Sequence, residues 1–201
     1  MKEKKLKGLF VILVSFCLVF STRLVKSNAA AHSNEYGNWS WLYGANALTV
    51  QLFSDMYEPY VSNAAFAWNN ITSKVYIKSV YYLPPAHGNQ DCDIEVYDDA
   101  LTGTTLAYTQ IYSRGLVSLV TQSWDYSGVI VKSRIVLDNS RLIGLGTAQI
   151  NRTTTHEFGH ALALLHPECT EKAVMHQSAV TEYKSDTITN HDRENLKAKW
   201  N

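Results

Sequence analysis

Apolar and polar residues alternate over residues 47–53 (ALTVQLF), the period of a half-buried strand. Past Glu58-Pro59 the period changes. Val61, Ala64, Ala65 and Trp68 recur at helical spacing, the proline suits a first turn, and Asn69-Asn70 closes the run. Residues 74–83 (KVYIKSVYYL) are β-branched and aromatic up to Pro84-Pro85, and AHGNQD after them is loop. Further strands are predicted at 92–97, 104–112 and 129–137, with a long connection over 113–128 between the last two. A second helix is predicted over 151–165, where Ala161 to Leu165 are strong helix formers. After a loop-rich stretch, 167–189, a last helix opens with Thr189 or Asn190 as N-cap. Asp192 falls in its first turn, and Leu196 and Trp200 lie on its apolar side. A polar, Asn-rich lead-in, 32–44, precedes the first strand. Strand, helix, then several strands ahead of a second helix predict an α+β domain with one mixed, twisted sheet of about five strands and three helices.

The first 31 residues have a different pattern. Lys2, Lys4, Lys5 and Lys7 precede a nearly unbroken apolar run, 9–20, and small residues follow as Ser27-Asn28-Ala29-Ala30-Ala31. Basic, apolar, then small is the order of an export signal, and cleavage after Ala29 or Ala31 satisfies the small-x-small rule. The run is shorter than the roughly 20 residues a membrane-spanning helix needs, so the expectation is a secreted protein with no membrane association once the signal is gone, with an uncleaved anchor as the alternative. Residues 32–201 then form a single domain, expected as a monomer. The whole chain has 18 Lys plus Arg against 18 Asp plus Glu. Residues 1–31 carry six of the former and one of the latter, so the mature chain has a formal net charge of −5. Nothing basic remains to draw in nucleic acid or an anionic membrane.

Export also bears on the cysteines. Cys17 leaves with the signal and Cys92 and Cys169 remain. In an oxidising compartment an even pair is expected to form a disulfide, worth about 2–4 kcal/mol, with two unpaired thiols as the alternative. The acidic run Asp91, Asp93, Glu95, Asp98 and Asp99 offers oxygen atoms for Ca²⁺, but no loop has calcium-ligand spacing, and a solvated strand face accounts for it.

The chemistry is concentrated in THEFGHALALLH, residues 155–166, which holds three of the chain's seven histidines. Four residues along a helix is about 40° of rotation and one turn of rise, so His156 and His160 project from one face and can share a Zn²⁺. Glu157 flanks them, placed to take a proton from water that the zinc acidifies. A third protein ligand leaves one position open, and His166 is the candidate. On a straight helix His166 would stand roughly 15 Å farther along than His156, so the helix has to break between them.

The run HEFGHALALLH resembles the extended zinc motif of the metzincin metallopeptidases, in which a glycine makes that break; here Ala163 stands at its position. The segment Ala173-Val174-Met175-His176-Gln177 resembles the metzincin Met-turn, which implies that Met175 packs beneath the zinc. Gln177 occupies the place of a metal-contacting tyrosine found in some members. Within the metzincins the closest resemblance is to the matrixin-like catalytic domain. VSNAAFAWNN is similar to its first helix, CDIEV to its third strand, TLAYT to its edge strand, residues 134–138 to its fifth strand and 192–200 to its closing helix. The resemblance implies a zinc cleft beside the second helix. It also implies that Leu106, Ala107 and Tyr108 of the edge strand receive an extended polypeptide substrate. No cysteine-switch propeptide motif is present.

The function implied is a secreted zinc endopeptidase with Glu157 as general base. One alternative is a gluzincin-type protease taking Glu168, Glu171 or Glu182 as third ligand. Another is a non-catalytic secreted zinc-binding module, for which a base beside the metal has no use. A third is a zinc amidase or esterase acting on non-peptide bonds.

Overall fold

The computed structural model describes residues 35–82, 91–113, 127–177 and 182–201. The expected export signal, most of the 86–91 loop and most of the 113–128 connection lie outside them. In chain order the described elements are β1 (Asn38–Trp41), β2 (Ala45–Leu52), α1 (Glu58–Ala67), β3 (Val75–Tyr82), β4 (Ile94–Asp99), β5 (Ala107–Ser113), β6 (Ser127–Asp138), α2 (Asn139–Leu142), α3 (Thr147–Ala161) and α4 (Asn190–Lys199). Among the described residues no helix is long and apolar enough to cross a membrane.

All six strands join one mixed sheet. Its path runs β1-β6-β4-β2-β3 through parallel pairs, and β5 pairs with β6 antiparallel. Five strands were expected; the sixth is β1, inside the lead-in. Its sequence NWSW alternates, with Trp39 and Trp41 at 3% and 5% exposure and Asn38 and Ser40 outward. Four residues among Asn, Gly and Ser are too few for the alternation to stand out from a loop. The short α2 also went unpredicted. Asp138 caps it, its carboxylate accepting from the backbone N–H groups of Ser140 and Arg141 at 2.9 and 3.1 Å.

The helices pack through alanine-rich and aromatic surfaces. α1 lies against α3 and β3, burying Val61, Ala64 and Ala65, and Trp68 just beyond its end is fully buried. α3 touches β5 and β6 and carries Phe158 and Ala161 into the same core as Leu52, Ile77, Ile94, Ile135 and Leu137. Burying side chains of this size stabilises by roughly 1.5–3 kcal/mol each relative to exposure, and it is what holds α3 against the sheet.

Two expectations are overturned. Cys92 and Cys169 are both free thiols. Cys92 is buried beside the sheet, where desolvation pushes its thiol up to about 11 despite the nearby Lys132. Cys169 lies in the loop after α3, 3.4 Å from His191. Each sulfur has its own set of neighbours, and an even count says nothing about proximity. The acidic strand face is not solvated at its centre either. Glu95 is 1% exposed and meets Lys132 at 3.0 Å and Arg134 at 2.8 Å across the parallel pair with β6. Asp93 accepts from the backbone N–H and hydroxyl of Thr49, at 2.8 and 2.9 Å.

Candidate metal centre

Helix α3 begins at Thr147, with Gly146 as N-cap, and ends at Ala161, so it starts four residues before and stops four residues short of the predicted span. Its end is a Schellman turn. The N–H of Ala163 donates to the His160 carbonyl and that of Leu164 to the Gly159 carbonyl, each at 2.9 Å. Ala163 takes the left-handed conformation this turn requires, with φ at 72°. Three tryptophans brace the helix. The indole N–H of Trp68 donates to the Thr155 carbonyl at 3.0 Å, that of Trp41 to Ala161 at 3.1 Å, and that of Trp200 to Leu162 at 2.8 Å. The last two satisfy carbonyls that a helix end leaves without partners. Gly37 donates to the Ala163 carbonyl at 2.7 Å and Leu165 to that of Glu35 at 2.9 Å, so the lead-in strand fixes the chain beyond the break.

The break brings His166 back. The Nε2 atoms of His156, His160 and His166 form a triangle with sides of 3.0, 3.1 and 3.1 Å. The other nitrogen of each ring is engaged. Nδ1 of His156 donates to the Val174 carbonyl at 2.9 Å, Nδ1 of His160 donates to that of Leu164 at 2.8 Å, and Nδ1 of His166 lies 2.9 Å from the Gln177 amide. Burial keeps the rings neutral. It takes His156 down to about 3, His160 well below the ordinary histidine value, and His166 down to about 4. With their protons on Nδ1, His156 and His160 turn lone pairs toward each other across 3.0 Å. At His166 it is Nε2 of the Gln177 amide that faces Nδ1. Lone pairs at that distance repel unless a cation lies among them. Tetrahedral ligation at about 2.1 Å sets nitrogen pairs roughly 3.4 Å apart, within a few tenths of an ångström of this triangle, so these residues fit a zinc ion. Outer partners on the second ring nitrogens are what zinc-binding imidazoles ordinarily have. His156, His160 and His166 are the group whose ligand atoms converge; Glu168, Glu171 and Glu182 do not belong to it.

Glu157 is buried, and desolvation raises its carboxyl to about 7 against the opposing bond from Thr109. The Thr109 hydroxyl lies 2.7 Å from the Glu157 carboxylate and 3.0 Å from its backbone carbonyl. Thr109 is in β5, which pairs among the described residues with β6 alone. Of the three predicted edge-strand residues, Ala107 and Tyr108 are in β5 opposite Leu137 and Val136. Leu106 precedes it, its carbonyl accepting from Asp138 at 2.8 Å. The strand therefore adjoins the Glu157 side of the centre. Thr109 carries no motif, and nothing in a strand-like AYTQIY distinguishes it before the fold is known.

Met175 lies under Gly159. A Cβ at that glycine would overlap the Met175 sulfur and press on Trp68, so Gly159 opens the space the methionine fills. The turn itself is held from α4. The Asp192 carboxylate accepts from the N–H groups of Val174 and Met175 at 2.9 and 3.3 Å while also closing a capping box with Thr189. The Asp192 position was predicted for its charge in the first turn, but the clasp across to 174–175 needed the tertiary structure. Arg152, buried on α3, donates to the His176 carbonyl at 2.8 Å and the Ser185 carbonyl at 3.2 Å, fixing both ends of the following loop.

No protein-family model and no curated protein matches the chain. Among solved structures it is similar to high choriolytic enzyme 1, a hatching enzyme zinc-protease from Oryzias latipes (Medaka fish), at 14% identity and a TM-score of 0.31, over 70% of this chain and 52% of that one. It is also similar to myroilysin, at 17% identity and a TM-score of 0.33, over 71% and 57%. The chain spans little more than half the length of these structures. Similarity at this level fixes neither family nor chemistry; the residues of the centre have to do that.

Proposed function

We propose that the protein is a secreted zinc endopeptidase of metzincin type. The observation that carries this is the convergence of three neutral imidazoles on one point with the Glu157 carboxylate beside them, tied to an edge strand. His156, His160 and His166 hold the zinc. When bound, zinc supplies Lewis acidity, polarising the scissile carbonyl and acidifying water. Glu157 accepts the proton of the attacking water and passes it to the departing amine, a task suited to a carboxyl with a proton affinity near neutrality. Thr109 holds that carboxylate in place. An extended polypeptide adds to β5 along Leu106, Ala107 and Tyr108 through main-chain hydrogen bonds. Met175 and Asp192 keep the floor of the centre fixed, and the export signal places the enzyme outside the cell.

Substitution of the base tests the reading. In Glu157→Gln, zinc stoichiometry by metal analysis stays at the parent's value while casein hydrolysis disappears. Full casein cleavage by that variant refutes the role of Glu157. A wild-type protein that binds zinc but leaves casein intact, with or without chelator, points instead to a non-catalytic module, or to an amidase or esterase acting on other bonds.

A further inference from the structure

Away from the histidine triangle, Glu35, Cys169 and His191 bring together a second set of ligand atoms, all within 4.8 Å of one another. They come from distant parts of the chain: the lead-in before β1, the loop after His166, and the first turn of α4. Nε2 of His191 lies 2.6 Å from a Glu35 carboxylate oxygen and 3.4 Å from the Cys169 sulfur. Nδ1 of the same ring faces the Glu171 carboxylate at 3.3 Å. A carboxylate on the far nitrogen is the outer partner that directs Nε2 toward a metal in histidine–metal sites. Asn195 donates to Glu35 at 2.7 Å and lies 3.2 Å from Nε2, holding the carboxylate and the ring together from the next turn of α4. Glu35 and His191 are 1% and 2% exposed, and Cys169 is partly open to solvent.

Nε2 of His191 faces both a carboxylate oxygen and a sulfur. A carboxylate oxygen, a ring nitrogen and a sulfur this close together need either a proton shared among them, such as that of the Cys169 thiol, or a cation at their centre. We propose that Glu35, Cys169 and His191 form a second metal site, for a thiophilic divalent ion of the Zn²⁺ or Co²⁺ class. The donor set decides the class, since one sulfur, one imidazole and one carboxylate suit these ions, whereas Ca²⁺ and Mg²⁺ take oxygen. Spacing agrees for the sulfur. Bonds of about 2.0 Å to nitrogen and 2.3 Å to sulfur place the two atoms roughly 3.5 Å apart in a tetrahedral site. Glu35 has to draw back by about 0.7 Å to reach the matching nitrogen–oxygen spacing. The solvent side at Cys169 gives the ion an entry and leaves a place for water. Bound there, the ion staples the lead-in and the loop after His166 to the closing helix, on the far side of the turn that presents His166.

Cobalt separates this site from the first, because a thiolate ligand gives Co²⁺ an intense near-ultraviolet charge-transfer band that an all-imidazole centre lacks. The purified full-length secreted protein, stripped of metal and loaded with Co²⁺, is expected to bind two ions per chain and show the band. Cys169→Ser is expected to bind one and lose the band; His166→Ala is expected to bind one and keep it. Glu35→Gln, which leaves the sulfur in place, is expected to weaken the band-forming Co²⁺ at least about tenfold. Absence of the band in the parent overturns the second site and leaves the cluster as a hydrogen-bonded one. A band that survives Cys169→Ser overturns it too, since the sulfur is then Cys92. A parent with a single Co²⁺ and the band keeps this site and overturns the histidine triangle instead.

Discussion

At a φ of 72°, Ala163 crowds its own Cβ against the next carbonyl, at a cost of about 1–2 kcal/mol that glycine would avoid. Two terms offset the gain from glycine: about 0.4–1 kcal/mol of extra unfolded-chain entropy, and about 0.8 kcal/mol for a buried methyl group at 0% exposure. Ala163→Gly is therefore expected within about 1 kcal/mol of the parent by denaturant titration. Ala163→Val is expected to behave differently. A β-branched side chain is a severe outlier in this conformation, so the turn opens, and loss of the third ligand should show as weakened zinc binding in a chelator competition. Thr109 makes a second residue-scale case. Thr109→Val keeps the shape and removes the hydroxyl that holds Glu157. Loss of one hydrogen bond to a charged group, about 1.5–3 kcal/mol, should lower kcat/KM roughly 10–100-fold at unchanged zinc content, with Thr109→Ser restoring most of it. A T109V enzyme as fast as the parent would remove Thr109 from the machinery.

Elements carry the next set of constraints, chiefly the clasp between α4 and the turn at Val174-Met175. Asp192 is 1% exposed and serves two backbone N–H groups of the turn besides its own helix cap. Asp192→Ala leaves those donors buried without partners, at about 1–3 kcal/mol each, and the expected loss of about 2–5 kcal/mol would be read from thermal or denaturant unfolding. Asp192→Asn, which keeps one acceptor oxygen, should lose less. The same element shows what a sequence can and cannot display. The Thr189 cap, Asp192 in the first turn and the Leu196–Trp200 face of α4 follow from local chemistry and were legible. So was the pairing of His156 with His160, because helical spacing alone puts them on one side, with Glu157 on the flank. The start of α3 at Thr147 was obscured because Gly146 caps it without a side-chain bond, and its end at Ala161 by alanines and leucines that could continue a helix. The tertiary bonds from Gly37, Trp41 and Trp200, which take up the Ala163, Ala161 and Leu162 carbonyls, settle that end. Parallel pairing, the strand at Asn38–Trp41 and the separation of the two thiols are likewise long-range facts, for which local periodicity has no signal.

For the molecule as a whole, the centre joins segments from distant parts of the chain. α3, the turn at 173–177, β5 and the lead-in all meet around three rings whose Nε2 atoms lie 3.0–3.1 Å apart. Zinc present at about 1,000 times its dissociation constant should add about 4 kcal/mol to the folded state. In a domain of this size that corresponds to a rise in Tm on the order of 10 °C. Chelation is expected to reverse it. His166→Ala, which leaves two ligands, should melt near the chelated parent and respond far less to added zinc. If a second ion binds at Glu35, Cys169 and His191, the chelated parent falls below His166→Ala, because chelator empties both sites while the substitution empties one. Cys169→Ser should then account for the difference. Equal melting temperatures for the parent with and without chelator would mean that the rings are held by packing alone, and that the metal contributes to chemistry without contributing to the fold.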